Sequence, residues 1–565
     1  MTPRQPDSKL RYRDEQLTGE QVLNPNEESE PPPNQKTLVW DDAQQRFYEH
    51  AQQQQQSQPY ALPLNQAHDL PLDVLYERLW DTAEDALLHA KRIPYDKGWI
   101  QEDEPPTNIP TVVVLGSGWA AHALLKVADT QQMRIVVVSP TNHFVFTPML
   151  ASASVGTVEY RSMTEAVRAA NPMIQAYWQG TALDVDPIQQ TVQVQLSEFL
   201  GDAPTNVTIH YDHLVVAVGC KVNDRLVPGA DQYALRLKSC EDARQLRNAI
   251  GECLESACRP VDRPDERRRR VTFGIVGGGP TGIELAGELS DFIQDVTVPR
   301  VGSYASLKDD IRVVLIHGGS ELVPQFDKEL RKHALETLRK GGVEVRLETR
   351  VQEVGDGFLR LLDKNTGEES TLETGVTVWA AGTGPVPFID TLLEKLPEEA
   401  RGEGGKVTVD QWLRCPTPTP EAFGSILVLG DAAHFADGPN SALPQTAQVA
   451  GQQGAYVARL LNRGHDLTST PPRLEAPSAW MQWRKLEDAP GFSFLNLGLL
   501  AYLGGGQALS QIQLGDVPIA QYAGSISFAL WRSVYLVKQV ATRNRVLVTF
   551  DWMKSAIFGR DITRL

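Results

Sequence analysis

Apolar, β-branched runs alternate along the chain with stretches in which apolar positions recur roughly every three or four residues. Two segments repeat the order strand, glycine-rich turn, helix and second strand: 111–115, 116–121, a helix through 128 and 134–138, then 271–276, 277–282, a helix through 292 and 311–316. Further strands are predicted at 213–219, 377–382 and 426–431, and a small-residue helix at 443–457. This alternation predicts an α/β fold with two Rossmann-like dinucleotide-binding domains.

The first 106 residues have a different pattern. Residues 1–65 are rich in Gln, Pro and charge, with prolines at 31–33 and glutamines at 52–56. Such a composition cannot bury enough apolar surface for a core, so it predicts a largely disordered extension. One amphipathic helix is predicted to follow and to pack on the main body, with an apolar face made of Leu72, Leu75, Tyr76, Leu79, Trp80, Ala83 and Leu87.

The chain ends in a basic amphipathic segment. Its apolar positions at helical spacing are Val546, Leu547, Phe550, Met553, Ile557 and Phe558, and its flanking cations are Arg543, Arg545, Lys554, Arg560 and Arg564. Residues 531–565 hold seven Lys or Arg and two Asp, a balance of +5, in a chain of net charge −17. The pattern predicts a helix lying in a membrane interface, with Trp531, Tyr535 and Trp552 at the headgroup boundary. A dimer-interface helix is the alternative.

Composition narrows the possible functions. A net charge of −17 argues against nucleic-acid binding, which needs basic surfaces. Because no run of about 18 apolar residues occurs, no membrane-spanning helix is expected. None of the five cysteines belongs to a C-x-x-C pair, which argues against a disulfide framework and favours a reducing compartment. Residues 1–20 contain four acidic residues and suit a transit peptide poorly.

The two glycine-rich turns, GSGWAA at 116–121 and GGGPTG at 277–282, are the candidate dinucleotide sites. A G-x-G-x-x-G string is weak evidence alone, but each copy follows an apolar strand and opens a helix. The free N–H groups and positive dipole end of such a helix bind a pyrophosphate. The alternative is a pair of structural turns in a domain that binds nothing.

The acid that usually binds the ribose, about 20 residues after such a turn, is missing from both copies. Ser139, followed by Pro140, stands after the first turn, and His317 after the second. A carboxylate would accept the ribose 2′-hydroxyl and repel a 2′-phosphate, whereas a cationic His317 attracts phosphate. We therefore expect the second site to exclude NADPH less than usual; the alternative is that His317 is a surface residue at a strand end.

Several longer sequence motifs surround and follow the two glycine-rich turns. VVSPTNHFVFTPML, YDHLVVAVG, GGGPTGIELAGEL, GDAAH, LPQTAQVAGQQGAYVA and the ending FGRDITRL occur in one order. Together they resemble the type II (alternative, rotenone-insensitive) NAD(P)H:quinone oxidoreductases, most closely the plant, algal and fungal kind, over roughly residues 110–565. The resemblance implies an FAD-dependent enzyme that passes electrons from NADH or NADPH to ubiquinone or plastoquinone and pumps no protons.

The resemblance also assigns residues to each cofactor. In this family the first turn binds FAD, and Ser-Pro replaces the ribose-binding acid. The implied FAD residues are Gly116, Gly118, Trp119, Ala120, Ser139, Pro140, Thr147, Pro148, Leu150, Ala217, Gly219, Gly430, Asp431, Ala447 and Gln448. The implied NADH or NADPH residues are Gly277, Gly278, Gly279, Pro280, Thr281, Gly282, Glu284, His317, Ala381, Gly382 and Thr383.

Glu284 and Gln448 are the candidate catalytic residues. The resemblance places a carboxylate like Glu284 near the nicotinamide; an ordinary helix-surface Glu is the alternative. Gln448 and Gln452 are four apart and project from one helix face. The resemblance makes Gln448, Gly451 and Gln452 the quinone site, against simple helix polarity. His434 is interpreted as structural, and because no D-x-D-x-D-G loop occurs, no metal site is expected.

These assignments divide the chain into five parts: an N-terminal extension (1–106), a first FAD part (107–245), an NAD(P)H domain (246–370), a second FAD part (371–460) and a membrane-anchoring and dimerisation segment (461–565). The expected partners are a quinone, a lipid surface and a second copy. The expected location is the mitochondrial inner membrane, with a plastid membrane as the alternative. The rival function is that of an apoptosis-inducing-factor-like, partner-binding flavoprotein. A disulfide reductase or sulfide:quinone oxidoreductase would need a cysteine pair beside the flavin.

Overall fold

The computed structural model describes residues 37–41, 46–50, 72–96, 99, 108–198, 205–260, 263–297, 303–435, 443–515, 517–539, 541–561 and 563. The chain divides into two units, 1–59 and 60–565. In the first unit, β1 (Thr37–Asp41) and β2 (Arg46–His50) pair as an antiparallel hairpin. The sequence analysis did not predict this hairpin, although both strands are richer in β-branched and aromatic residues than the sequence around them. The remainder of residues 1–65 lies outside the described residues.

The second unit begins with α1 (Leu72–Asp96). The elements up to residue 260 are β3 (Thr111–Leu115), α2 (Trp119–Val127), β4 (Arg134–Ser139), β5 (His143–Val145), α3 (Leu150–Ser154), β6 (Thr164–Ala166), α4 (Val167–Ala170), β7 (Ala176–Asp186), β8 (Thr191–Leu196), β9 (Asn206–His210), β10 (His213–Val216), β11 (Cys220–Val222), α5 (Ala230–Tyr233) and α6 (Cys240–Ala257).

The elements from 264 to 435 are α7 (Pro264–Arg270), β12 (Thr272–Val276), α8 (Pro280–Thr297), β13 (Arg312–Ile316), α9 (Lys328–Lys340), β14 (Val343–Arg346), β15 (Thr349–Gly355), β16 (Phe358–Asp363), β17 (Glu369–Glu373), β18 (Val376–Trp379), β19 (Thr383–Pro385), α10 (Pro387–Lys395), β20 (Val407–Val409), β21 (Ile426–Val428) and β22 (Ala433–Phe435). The last elements are α11 (Ala447–Arg463), α12 (Ala479–Trp483), β23 (Leu499–Gly504), β24 (Gln507–Leu514), β25 (Val517–Gly524), α13 (Ser525–Val537) and α14 (Thr542–Phe558).

The first sheet has the order β21-β10-β3-β4-β7-β8-β9. Its first five strands are parallel, and β8 and β9 extend it as antiparallel neighbours. Strand β21 comes from a part of the chain far beyond β10, so the first domain is completed only after the second has been inserted. The predicted α/β fold with parallel sheets is confirmed.

The second sheet has the order β14-β13-β12-β18, with all four strands parallel. Strand β18 pairs with β12, so the boundary predicted at residue 370 is too early and moves beyond Trp379. The local sequence of β18 encodes a buried strand but not the sheet that receives it.

Helix α11 begins later than predicted. The Thr446 hydroxyl accepts a hydrogen bond from the Val449 N–H at 3.4 Å, which caps the helix and makes Ala447 its first residue. Arg463 is the last residue of the helix, and Gly464 caps it with a φ of +77°. The predicted range 443–457 therefore shifts to Ala447–Arg463.

Helix α1 forms where predicted, but a different face docks. Leu79 and Leu87 of its apolar face are 71% and 66% exposed. The inward side is acidic instead, and its ion pairs join Glu77, Asp81, Glu84 and Asp85 to Arg459, Arg463 and Arg484. The prediction of apolar packing is wrong because the available partner surface is basic.

Helix α14 also contacts the protein mainly through polar side chains, and its apolar residues face outward as the interfacial prediction requires. Apart from the fully buried Val548, its inward face is polar: Asn544 donates to the Ser162 and Thr164 carbonyls at 2.9 Å each, and Asp551 accepts from the Glu159 N–H at 3.0 Å. The predicted apolar residues face outward, with Ile557 65% and Phe558 80% exposed. Among the described residues, no helix is both long and apolar enough to cross a membrane.

Three expectations about this C-terminal part are corrected. Trp531 is buried against Tyr502, and Tyr535 is buried against Trp531, rather than positioned at a headgroup boundary. Arg560 is also nearly buried, because it pairs with Glu288 at 2.8 Å. Trp552 is half-buried, and Arg564 lies outside the described residues.

Candidate dinucleotide and quinone sites

The first turn connects β3 to α2 at the carboxyl end of the first sheet. Gly116 has a φ of +111°, and a Cβ there would lie 2.4 Å from the Ala217 carbonyl oxygen. A Cβ at Gly118 or Gly219 would instead meet no atom within 4 Å. Gly118 precedes α2 without any side-chain cap, so the helix N-terminus faces open space with free N–H groups. This arrangement fits a pyrophosphate.

Residues predicted from distant parts of the sequence meet at this turn. Ser139, at the end of β4, donates its hydroxyl hydrogen bond to Ser117 at 3.0 Å, and Pro140 follows it. The Trp119 indole N–H donates to the Thr147 hydroxyl at 3.0 Å, which fixes the start of the segment that carries Pro148 and Leu150. The structure therefore brings these predicted residues together.

A cavity of about 380 Å³ opens at the Gly430 turn, where a Cβ on Gly430 would lie 3.9 Å from the Cβ of Ala120. Its lining includes Cys220, Thr383, Gly405, Lys406, Gly430, Asp431, His434, Gln445, Val449 and Gln453. Asp431 accepts a hydrogen bond from the Cys220 thiol at 3.0 Å. Burial, reinforced by the charge of Asp431, raises the pKa of Cys220 to about 11, so this thiol stays protonated.

Gln453 is a site residue that the sequence reasoning missed. Its side-chain oxygen accepts from the Gly430 N–H at 2.6 Å, and the residue is 1% exposed. The signal was present, because Gln453 shares with Val449 and Val457 the buried face of α11. An amide at a buried apolar position needs a partner, and the Gly430 turn supplies it.

The two amides of the predicted quinone motif project toward one segment, residues 495–498. Gln448 donates to the Gly498 carbonyl at 2.7 Å and accepts from the Leu497 N–H at 3.4 Å. Gln452 donates to the Leu495 carbonyl at 2.9 Å. Between them, a Cβ at Gly451 would meet no atom within 4 Å. The shared face is as predicted, and in this structure both amides are hydrogen-bonded to backbone.

The second turn repeats the geometry of the first. Gly277 has a φ of +121°, and a Cβ there would lie 2.6 Å from the Ala380 carbonyl oxygen, next to Ala381. A Cβ at Gly282 would lie 1.9 Å from the Gly277 oxygen, whereas the Cβ position of Gly279 is open. Helix α8 begins at Pro280, whose missing N–H costs nothing at a helix start. The N-terminus of α8 thus has a geometry that fits a second pyrophosphate.

His317 follows β13 and lies against this turn. Its Nδ1 accepts a hydrogen bond from the Gly278 N–H at 3.1 Å, so its proton is on Nε2. Burial lowers the pKa of His317. The cationic form expected to attract a phosphate is therefore disfavoured, and the side chain is half-buried at the end of β13. The expectation that this site excludes NADPH less than usual now depends on the missing carboxylate.

Glu284 is buried one turn into α8, not on the helix surface. Its carboxyl accepts from the Tyr502 N–H at 3.4 Å. Burial raises the pKa of Glu284 to about 8, with a smaller contribution from the charge of Glu288. The side chain is therefore mostly protonated at neutral pH, and it lies between α8 and the C-terminal β23.

Thr383 is a predicted nicotinamide-site residue that lines the same cavity as Asp431. Its hydroxyl donates to Gln445 at 2.9 Å, and Gln445 donates to the Asp431 carbonyl oxygen at 3.1 Å. Gly382, with a φ of +73°, precedes it. Thr383 therefore connects the chain leaving the second sheet with the cavity at the first.

Two protein families match this chain. Residues 110–454 match the family described as pyridine nucleotide-disulphide oxidoreductase, and residues 496–561 match the one described as NDH2 C-terminal domain. The second match begins within the segment 495–498 and includes β23–β25, α13 and α14. The sheets, turns and C-terminal part described above thus coincide with recognised family units.

Similar proteins extend along most of the chain. The mitochondrial external alternative NAD(P)H-ubiquinone oxidoreductase B1 of Solanum tuberosum is 31% identical, with 82% of this chain and 92% of that protein covered. The external NADH-ubiquinone oxidoreductase 2 of Saccharomyces cerevisiae is 34% identical, with 82% and 86% covered. A solved structure of NDH2 from Plasmodium falciparum has the same fold, with a TM-score of 0.71 at 22% identity over 80% of this chain and 99% of that one.

Proposed function

The chain belongs to the type II NAD(P)H:quinone oxidoreductases, and we propose that it binds FAD at the first turn, NADH or NADPH at the second, and a quinone beside α11. It is an oxidoreductase that uses a flavin to transfer electrons from NAD(P)H to a quinone. The observation that carries the proposal is the pair of open helix N-termini, one on each parallel sheet, together with a cavity lined by Gly430, Asp431 and residues of α11.

The residues around the first turn fit FAD. The open Cβ positions of Gly118 and Gly219 leave room for the pyrophosphate and its neighbours, and the uncapped N-terminus of α2 supplies N–H donors. Asp431 is suited to accept a hydrogen bond from a ribityl hydroxyl, while Gln453 holds the adjacent Gly430 in place. A bound FAD would supply two-electron transfer, from the reduced nicotinamide on to the quinone.

The chain's own residues position the substrates. Gly279 leaves the N-terminus of α8 open to the nucleotide pyrophosphate. Glu284, protonated because burial raises its pKa to about 8, is proposed to donate a hydrogen bond at the nicotinamide side of the site. Gln448 and Gln452 hold the segment 495–498, and the open surface at Gly451 between them is proposed to receive the quinone head.

We propose attachment to a membrane surface through α14. The outward face of this helix is apolar while its inward face is hydrogen-bonded, which supports a lipid-facing orientation. Lys554 and Arg560 pair with Glu159 and Glu288, so apolar contact contributes more than the basic sequence suggests. A homodimer is proposed through the same C-terminal region, where β25 is an edge strand of the sheet β23-β24-β25 among the described residues. The mitochondrial names of the relatives support the mitochondrial inner membrane.

The apoptosis-inducing-factor-like alternative is not favoured. Residues 496–561 match a family unit named for NDH2, and the full-length relatives are named as quinone oxidoreductases. A mainly partner-binding flavoprotein has no need of a glutamine pair that holds a segment beside an open surface at Gly451.

The test starts from protein purified in mild detergent. Heat-released cofactor is identified by chromatography, and NADH and NADPH are titrated against ubiquinone and plastoquinone analogues. We expect FAD, and we expect Gln452→Leu to raise the KM for the quinone more than that for NADH, because it frees the segment 495–498. Release of another flavin, or equal changes in both KM values, would contradict the assignment.

A further inference from the structure

Helix α1 has an orientation that the ion pairs fix. Arg459 pairs with Asp85 at 2.6 Å, Arg463 with Glu84 at 2.6 Å, and Arg484 with Asp81 at 3.3 Å. These contacts hold one side of the helix against α11 and against Arg484, which directly follows α12. The opposite side faces away from the protein, and it carries Tyr76, Leu79, Ala83, Ala86, Leu87, Ala90 and Ile93.

The charges of α1 are sorted between these two sides. Between residues 74 and 94 every carboxylate is engaged by arginine on the inward side, and none of them is among the exposed residues. The only exposed residue there with a fixed charge is Lys91. In a chain of net charge −17, an outward face without carboxylates suits a neutral or anionic surface.

Aromatic residues enlarge this apolar face. Trp80 of α1 packs edge-on against Trp480 and Trp483 of α12, with ring centroids 5.2 and 5.6 Å away. Trp480 and Trp483 stack on each other at 5.0 Å and remain 43% and 58% exposed. Partly exposed tryptophans beside aliphatic residues are typical of side chains that sit at the boundary between lipid and water.

Two arginines of α1 contact parts of the enzyme that are proposed to bind quinone or lipid. At one end, Arg78 donates to the Gln452 side chain at 3.1 Å and to the Ser493 carbonyl at 2.7 Å, beside the proposed quinone position. At the other end, Arg92 donates to Asn171 at 2.8 Å. Asn171 directly follows α4. Just before this helix, the Thr164 carbonyl accepts a hydrogen bond from Asn544 of α14. Helix α1 thus borders both the quinone motif and the segment on which α14 rests.

We propose that the outward faces of α1 and α12 form a second membrane-contact surface, which lies on the bilayer next to the place where quinone enters. The proposal rests on the proposed function, because it assumes an enzyme that takes its quinone from the bilayer. The outward apolar side of α1 is then explained in the same way as that of α14: polar contacts attach each helix to the protein, and its apolar side is left for lipid.

The first test measures binding to vesicles of phosphatidylcholine and cardiolipin by flotation. The double variant Leu79→Gln/Trp483→Gln removes two exposed apolar side chains and no ion pair. We expect its partition coefficient to fall roughly tenfold. Ile188→Gln, at an exposed apolar position in the turn between β7 and β8, is the matched control and should bind as the unaltered protein does.

Equal binding by the double variant and the unaltered protein would overturn the proposal, and so would an equal loss of binding in the Ile188→Gln control. A smaller particle in solution for the double variant would also overturn it, because that result would assign the face to a second copy of the chain. The rate with a soluble short-chain quinone separates this inference from the proposed function. That rate should be unchanged in the double variant; if the unaltered protein showed no quinone reduction, the function itself would fail, whatever the vesicles showed.

A second measurement uses lipids with bromine on their acyl chains. Bromine quenches only tryptophans that reach the chains, so tryptophan emission should fall on binding. Trp480→Phe/Trp483→Phe keeps the face apolar and should still bind, but should lose part of the quenching. An equal fractional quenching in both proteins would contradict insertion of α12.

Discussion

Glu284 offers the sharpest test of the buried interface between the second domain and the C-terminal part. Its carboxyl is buried under Tyr502, and burial raises its pKa from 4.5 to about 8. Glu284→Gln keeps the shape of the side chain and the acceptor for the Tyr502 N–H but cannot ionise. The variant therefore isolates the free energy of one ionisation.

The sign and size of the effect follow from the shifted pKa. Below pH 4.5 both the folded and unfolded chains hold the proton, and the contribution to stability is complete. Between 4.5 and about 8 the unfolded chain releases the proton and the folded chain keeps it, so the free energy of unfolding falls as pH rises. At roughly 1.4 kcal/mol per pH unit, the loss across this window is on the order of 5 kcal/mol.

Thermal unfolding at about pH 5 and about pH 8 measures this loss. The variant and the unaltered protein should have similar Tm values at the lower pH. At the higher pH the variant should be more stable by on the order of 5 °C, since each kcal/mol shifts Tm by a degree or two in a chain of this size. Glu329→Gln, an exposed carboxylate on α9, should change neither value. Parallel Tm–pH curves for Glu284→Gln and the unaltered protein would refute the buried, protonated state.

Three further predictions concern the other sites. Gly116→Ala places a methyl group 2.4 Å from the Ala217 oxygen at a φ of +111°, so the purified protein should hold less than about a tenth of the normal flavin by visible absorbance; a full complement would contradict this. Arg560→Met leaves Glu288 buried without its cation and should lower the free energy of unfolding in urea by about 3–5 kcal/mol, whereas adding Glu288→Gln should recover most of it; equal losses would refute the pairing. His317→Glu should lower kcat/KM for NADPH relative to NADH by about tenfold, through repulsion of the 2′-phosphate, and an unchanged ratio would exclude His317 from that site.

The turns and sheets could be predicted from sequence because their determinants are local. Gly116 and Gly277 have positive φ values and touch a neighbouring strand, so glycine is required at the place that the pattern marks. The buried strands likewise read as continuous apolar runs. Strand β18 reads in the same way, but its partner β12 lies far away in the sequence, and therefore the domain boundary at 370 was misplaced.

The docking faces of the amphipathic helices could not be predicted, because they depend on surfaces that only the fold assembles. Periodicity identifies an apolar side on α1 but does not reveal that Arg459, Arg463 and Arg484 gather where the helix lands. Arg560 reads as one more cation in a basic tail, yet it pairs with Glu288 of α8. Gln453 is the intermediate case, since its position on the buried face of α11 is visible in the sequence.

The central claim is that this chain passes electrons from NAD(P)H to a quinone, and the steady-state rate of NAD(P)H oxidation tests it most directly. The rate is measured in mild detergent with and without a soluble short-chain quinone, in the presence of oxygen. The structure and the family predict that quinone accelerates oxidation far beyond the slow rate with oxygen alone, and that quinol forms in equal amount. Oxidation no faster with quinone than with oxygen would contradict the claim and favour a flavoprotein that mainly binds a partner.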